Sequence, residues 1–283
     1  MDAVTGGSMS LPYELVDAWV NPNLGTPADP RYDVGYLFPD LAERWRRGTT
    51  LEQLVDEMDR AGVGRSVLCG GYGGVEGVDD VAWTVNAVDR HPERFIGSIA
   101  VDPRHGMAAV KTVQRMVVEH GFRMVRMVGF EIGLPYDDPA YYPVYAKCAE
   151  LGVPVGLNVG LPGPLIPGAV QHPLPLDSIC AFFPELKVVM QHGGEPWVDL
   201  CVKLLLKWPN LYYMSSAFAP KRIPAQIMHL ANGRGAGKVM WASDYPLLTF
   251  ERCVREIEEM VFKDDGRRRE FARENTLSLL GLN

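Results

Sequence analysis

The sequence predicts a single α/β domain, a (β/α)8 or TIM barrel, over residues 11–283. Short apolar runs typical of buried parallel strands alternate with segments whose apolar residues recur every three or four positions, as in helices. Eight such pairs can be counted, and a chain of 283 residues lies in the size range of one barrel. We expect residues 1–10 to form a flexible lead.

The first four strand–helix pairs are marked by apolar runs and by residues typical of helix ends. Strands are predicted at residues 15–22, 65–70, 95–101 and 122–128, and helices at 51–61, 81–90, 107–120 and 138–151. Thr50 can cap the first of these helices, and Gly62 follows its end. In the fourth strand, Arg126 shares a face with Met124 and Val128. Arg126 therefore points either into the barrel, where it must meet an anion, or outward to a helix carboxylate.

The last four pairs bring two ionisable residues to strand ends. Strands are predicted at residues 153–159, 187–192, 211–214 and 238–244, and their helices at 175–183, 197–208, 223–231 and 250–261, with a further helix at 267–280. The sixth strand ends on His192 and the eighth on Asp244. Catalytic groups of barrels gather at the carboxyl ends of strands, so both residues are candidate catalytic groups. A core histidine satisfied by the backbone is the other interpretation of His192.

Composition limits the classes of partner. The net charge of −7 argues against a nucleic-acid or anionic-membrane surface, which needs clustered lysine and arginine. No apolar run reaches the roughly 18 residues of a membrane span. Five scattered cysteines without a C-x-x-C pair favour a reducing compartment, so we expect a cytoplasmic protein. We expect a small acidic or aromatic substrate, and the sequence leaves open whether the chain forms a homo-oligomer.

Five ordered segments carry a resemblance to a known family. They read DPAYYPVYA (138–146), QHGG (191–194), PNLY (209–212), ASDYP (242–246) and ENT (274–276). Together they resemble the amidohydrolase-related family, which includes metal-dependent hydrolases and the zinc decarboxylases typified by aminocarboxymuconate-semialdehyde decarboxylase. The resemblance extends from the first strand to the last helix, and it implies a barrel with its site at the strand ends.

The resemblance also implies a metal site. Its ligands would be a His-x-His pair after strand one, a histidine after strand five and an aspartate after strand eight, with the strand-six histidine as ligand or catalytic group. In this sequence Trp19 and Asn21 stand at the pair, and Asn158 stands at the strand-five position. Neither indole nor a neutral carboxamide replaces imidazole on zinc, and His192 and Asp244 alone are too few. We therefore expect no tightly bound metal; the alternative is weakly bound zinc or manganese.

Three functions fit these residues. The first is hydrolysis of an activated ester, lactone or similar bond of a small cyclic or aromatic acid, with Asp244 as base and His192 polarising a carbonyl. Lactone-hydrolysing relatives that work without a metal belong to the wider superfamily. The second is non-oxidative decarboxylation, or other lyase chemistry, of an aromatic or unsaturated acid whose carboxylate Arg126 holds. The third is a non-catalytic ligand-binding barrel, with Trp19 filling the metal space.

Side chains near the predicted strand ends are candidate substrate contacts. They are Arg126, Trp19, Asn21, Asn158, Tyr72, Trp197 and Tyr245. The aromatic members predict a flat apolar ligand, although aromatic residues also commonly fill barrels.

Overall fold

In the computed structural model, eight parallel strands form a barrel in chain order, as the sequence predicted. The structure describes residues 11–25, 30–71 and 79–282, so the predicted lead at 1–10 lies outside the described residues. The strands are β1 (Leu15–Val20), β2 (Val63–Gly70), β3 (Phe95–Ala100), β4 (Met124–Met127), β5 (Val155–Asn158), β6 (Val188–Gln191), β7 (Leu211–Met214) and β8 (Val239–Met240). Hydrogen bonds from Ala18 N to Trp241 O and from Asn21 N to Tyr245 O join the end of β8 to β1.

Helices connect the strands and cover the outside of the barrel. They are α1 (Leu41–Arg47), α2 (Leu51–Ala61), α3 (Asp80–Arg90), α4 (Met107–His120), α5 (Gly129–Ile132), α6 (Tyr142–Leu151), α7 (Pro175–Phe182), α8 (Val198–Lys207), α9 (Ala225–Ala231), α10 (Phe250–Glu259), α11 (Asp265–Arg269) and α12 (Asn275–Leu280). Thr50 caps α2 in a capping box with Gln53, and Gly62 ends this helix in the left-handed conformation, as the sequence predicted. Within the described ranges, no helix is long and apolar enough to cross a membrane.

Among the described residues, two apolar clusters make up the core. The larger one packs the helices against the outer face of the barrel. The smaller one fills the barrel interior with side chains that include Ala18, Trp19, Val67, Met124, Val189, Met214 and Met240. Because the interior is filled in this way, open space is left at the carboxyl ends of the strands, where barrel enzymes place their sites.

The carboxyl-terminal part of the barrel differs from the prediction. β8 ends at Met240 rather than at residue 244, because the N–H of Trp241 donates to the carbonyl of Phe271 instead of to a neighbouring strand. The Trp241 indole also donates to the carbonyl of Ala272, at 2.9 Å. These two carbonyls lie in a π-helical segment, Glu270–Glu274, which interrupts the helix predicted at 267–280. The backbone N–H and the indole of Trp241 thus bind the two carbonyls at the place where both differences occur.

Candidate active site

A cavity of about 600 Å³ opens at the carboxyl ends of the strands. Its polar lining includes side chains from several strand ends, namely Asn21, Arg126, Asn158, His192 and Asp244. Its apolar walls include Val34, Phe38, Trp45, Phe130, Leu161, Phe218 and Leu247. Five of the sequence-predicted site residues therefore share one cavity, and its apolar walls suit a flat organic ligand.

His192 and Asp244 are placed by unusual backbone conformations. Their φ angles are 65° and 56°, in the left-handed region that non-glycine residues seldom adopt. The next residue, Gly193, has φ +82°, and a Cβ added there would lie 2.2 Å from the ring of Phe218. Strained residues of this kind cluster at functional sites, where the surrounding packing holds them.

A chain of hydrogen bonds leads from β1 to Asp244. The Trp19 indole Nε1 donates to Asn21 Oδ1 at 3.2 Å, and Asn21 Nδ2 donates to Asp244 Oδ1 at 2.7 Å. The other oxygen, Asp244 Oδ2, lies 3.6 Å from His192 Nδ1. The carboxyl of Asp244 is thus held from one side by an amide and faced on the other by an imidazole.

Arg126 lies on the inner face of β4, is only 2% exposed and lines the cavity. Its Nη2 donates to His192 Nε2 at 2.9 Å, and its Nη2 and Nε donate to Asn158 Oδ1 at 3.1 and 3.3 Å. The guanidinium also lies over the Trp19 ring, 4.8 Å from the ring centroid. Because a guanidinium can only donate, His192 Nε2 must accept, which leaves the imidazole proton on Nδ1, facing Asp244.

Burial and the charge of Arg126 shift the pKa values of Asp244 and His192. Burial raises the pKa of the Asp244 carboxyl, and this effect is partly opposed by Arg126 and by the hydrogen bond from Asn21. Burial, followed by the Arg126 charge, holds the pKa of His192 well below its usual range. His192 is therefore neutral near pH 7, while Asp244 keeps its proton to a higher pH than an exposed aspartate does.

The sequence interpretation missed Asp17, a fully buried carboxyl at the seam between β1 and β8. Its Oδ1 accepts the N–H of Trp19 at 3.1 Å and the N–H of Ser243 at 3.0 Å. Burial raises the pKa of Asp17 to about 7. Asp17 thus fixes the backbone next to Trp19 and Asp244. A charged residue inside the apolar run 15–20 was the available signal.

Several predicted substrate contacts lie outside the cavity lining. Trp19 is fully buried beneath the guanidinium of Arg126, and Tyr245 is buried with its hydroxyl 2.8 Å from Thr49 Oγ1. Trp197 packs against the ring of His172, at a centroid distance of 4.5 Å. These three aromatic side chains pack against other protein groups and are not among the residues that line the cavity. Tyr72 lies outside the described residues.

Loop residues supply the aromatic walls instead. The long connection after β1 contributes Phe38, and Tyr36 in the same connection donates its hydroxyl to the carbonyl of Gly163 at 2.6 Å. The N–H of Leu165 donates to the carbonyl of Arg31 at 3.0 Å. These bonds join the connection after β1 to the loop after β5 beside the cavity. No local pattern in the sequence shows which residues of this connection face the site.

The donors of this site do not fit a divalent metal. The described ranges 11–25, 30–71 and 79–282 contain no group of three or more histidine, cysteine, aspartate or glutamate side chains that could hold one. His192 and Asp244 are side chains of the usual ligand types, but the Nε2 lone pair of His192 already accepts from Arg126. The remaining neighbours, Asn21, Asn158 and Trp19, supply neutral amides and an indole.

The barrel brings a carboxyl, an imidazole and a guanidinium together in one cavity at its strand ends. Enzymes with this fold place their active sites at the same end. Residues 74–282 match the amidohydrolase family, and the chain belongs to that family. A curated relative is the 2-amino-3-carboxymuconate-6-semialdehyde decarboxylase of Dictyostelium discoideum, which is 23% identical over 228 residues. That match covers 69% of this chain but 61% of the relative, so the chain spans less than two thirds of the relative's length.

Solved structures share the barrel fold. An uncharacterized TIM-barrel protein from Bordetella bronchiseptica has a TM-score of 0.79 at 22% identity, covering 95% of this chain and 99% of the other. The 5-carboxyvanillate decarboxylase of Sphingomonas paucimobilis has a TM-score of 0.72 at 17% identity, with 95% and 99% covered. A dihydroxybenzoic acid decarboxylase from Polaromonas, solved with manganese and the inhibitor 2-nitroresorcinol, has a TM-score of 0.71 at 19% identity, with 96% and 98% covered.

Proposed function

We propose that this protein is a carboxy-lyase that removes CO2, without oxidation, from an aromatic or unsaturated carboxylic acid. The observation that carries the proposal is the placement of a buried cation, Arg126, and a buried carboxyl, Asp244, on opposite sides of His192 in one apolar-walled cavity. The relatives named above support it, since three of the four are decarboxylases of small acids. Hydrolysis of an activated ester or lactone, the first hypothesis from the sequence, has no such support among them.

Arg126 provides the anchor for the substrate. Among the described residues that line the cavity, it is the one lysine or arginine. A guanidinium binds two oxygens side by side, so it suits a carboxylate with a hydroxyl on the neighbouring ring carbon. The rings of Phe38, Phe130 and Phe218 line the same cavity and would pack against the flat face of such an acid. The expected substrates are hydroxylated aromatic acids.

Asp244 provides the proton that the reaction consumes. In the proposed step, Asp244 donates its proton to the ring carbon that bears the carboxylate, using a pair of ring electrons made available by the hydroxyl group. The bond from that carbon to the carboxylate then breaks, CO2 leaves, and the bonding electrons restore the aromatic ring. The ionised Asp244 recovers a proton from water. A raised pKa suits this role, because the acid then keeps its proton to a higher pH than an exposed aspartate does.

His192 and Asn21 would stabilise the carboxylate that this step leaves behind. Asn21 Nδ2 already donates to Asp244 Oδ1, and the protonated Nδ1 of His192 faces Asp244 Oδ2. Both donors are in place before the proton leaves, so little reorganisation is needed as the negative charge forms. His192 is thus a neutral donor in this mechanism and not a base.

A substrate panel tests the proposal. Purified protein is incubated with hydroxybenzoates, methoxylated hydroxybenzoates, aryl acetates and lactones, and both released CO2 and the organic product are measured. We expect CO2 and the matching phenol from a hydroxylated acid, and loss of that activity in Asp244→Asn. Asp89→Asn, the same change at an exposed position of α3, is the matched control. Cleavage of esters without CO2 would favour the hydrolase, and ligand binding without turnover would favour the binding barrel.

A further inference from the structure

The side chains around Arg126 are arranged as the surroundings of a cation. The side-chain oxygen Asn158 Oδ1 accepts from the Nε and Nη2 of Arg126. The lone pair of His192 Nε2 accepts from the same Nη2 at 2.9 Å. The indole face of Trp19 lies against the same guanidinium, 4.8 Å from its carbon. An amide oxygen, an imidazole lone pair and a π-face are all electron-rich groups that favour positive charge. Groups from β1, from β5 and from the residue that follows β6 therefore converge on one fixed cation.

This convergence occurs at the strand ends where the family resemblance places metal ligands. A divalent ion bound by His192 would break the Arg126 hydrogen bond in either tautomer. An ion at Nε2 needs the single lone pair of that nitrogen, and an ion at Nδ1 leaves the ring proton on Nε2, which then cannot accept from Arg126. The displaced guanidinium would still be buried beside the ion, and like charges at such short range repel strongly where water is excluded. Asn158 and Trp19 would supply no strong ligand in return.

We propose that Arg126 takes the place of a divalent metal, so that a guanidinium supplies the positive charge of this cavity. The inference goes beyond the reaction proposed above and does not depend on which acid is the substrate. The inference also explains which residues surround Arg126. The ring of Trp19 and the side-chain oxygen of Asn158 suit a flat cation that donates hydrogen bonds, whereas imidazoles at these positions would suit a metal. The opposite outcome is a manganese site like that of the Polaromonas enzyme, which was solved with this metal bound.

Metal content is the first test, and it does not rely on turnover. Wild-type protein is loaded with Mn²⁺ or Zn²⁺, dialysed extensively and subjected to elemental analysis, and its melting temperature is measured with and without added metal. We expect far less metal than protein and no rise in melting temperature. Stoichiometric metal that His192→Asn and Asp244→Asn both remove would overturn the inference.

Two multiple variants make the second test. Trp19→His, Asn21→His and Asn158→His are combined, once with Arg126 retained and once with Arg126→Ala. We expect stoichiometric Mn²⁺ or Zn²⁺ in the variant without the arginine. When the arginine is present, we expect the metal to bind at least about 10-fold more weakly, because the guanidinium and the metal compete for the same place. Equal binding by the two variants would overturn the inference. If the variants do not fold, as judged by circular dichroism, the metal content of the wild type decides alone.

Discussion

The buried carboxyl of Asp17 makes a quantitative prediction about folding stability. Its pKa is about 7 in the folded protein against an ordinary aspartate value of 3.8, so the folded state holds this proton over a pH range in which the unfolded chain has lost it. Each pH unit in that range lowers the free energy of unfolding by about 1.36 kcal/mol. The full effect is therefore about 4 kcal/mol. It accumulates as the pH rises from about 4 to about 7 and does not increase further above that range.

Replacing Asp17 with asparagine should remove this pH dependence. The variant keeps a carbonyl oxygen for the N–H groups of Trp19 and Ser243 but has no proton to lose. Urea unfolding followed by tryptophan fluorescence, at pH 5 and pH 8, gives the free energy of unfolding of each protein. We expect the wild type to lose about 2–3 kcal/mol more than Asp17→Asn between these pH values.

The control is Asp89→Asn, an exposed position, which should behave as the wild type does. The low pKa of His192 makes a contribution of the opposite sign, but His192 is present in both proteins and its effect cancels in the comparison. If the wild type and Asp17→Asn lose the same stability between pH 5 and pH 8, the assignment of a raised pKa to Asp17 is wrong.

Three further predictions concern the site. The kcat/KM for an aromatic acid should fall as the pH rises through the pKa of Asp244, because the acid must be protonated; a pH–rate profile that rises instead would contradict this. Arg126→Lys keeps the charge but loses the two-nitrogen fork, so calorimetry should show about 10-fold weaker binding of a hydroxybenzoate, and unchanged affinity would count against the anchor. Gly193→Ala forces a Cβ to within 2.2 Å of the Phe218 ring at φ +82°, so chemical unfolding should show a loss of about 1–3 kcal/mol, whereas Gly237→Ala, with open space around it, should be nearly neutral.

The barrel could be predicted because its determinants are local. Apolar runs, helix periodicity and end residues such as Thr50 and Gly62 act within a few positions of the chain, and these parts match the structure. His192 and Asp244 could be found for the same reason, since each follows an apolar run. The sequence could not say which face of β4 points inward. The period of two places Arg126 and Met124 on the same face, but it does not say whether that face points into the barrel or outward.

The walls of the site depend on contacts between distant segments. Phe38 and Phe218 line one cavity although 180 positions separate them in the sequence, and no local pattern marks either. Trp197 and Tyr245 lie near strand ends, but their side chains contact partners outside the cavity. Trp197 packs against His172, and the Tyr245 hydroxyl lies beside Thr49. Tertiary packing decides which aromatic side chains contact a ligand.

The transfer of a proton from Asp244 to the ring carbon is the central chemical claim, and solvent deuterium tests it most directly. Wild type and Asp244→Asn are incubated in deuterated water with the hydroxybenzoate that the wild type converts fastest, and the product is analysed by NMR and mass spectrometry. We predict one deuterium at the carbon that carried the carboxylate, together with released CO2, and a rate at least about 10²-fold lower in Asp244→Asn. A product without deuterium at that carbon, or full activity in Asp244→Asn, would contradict the account.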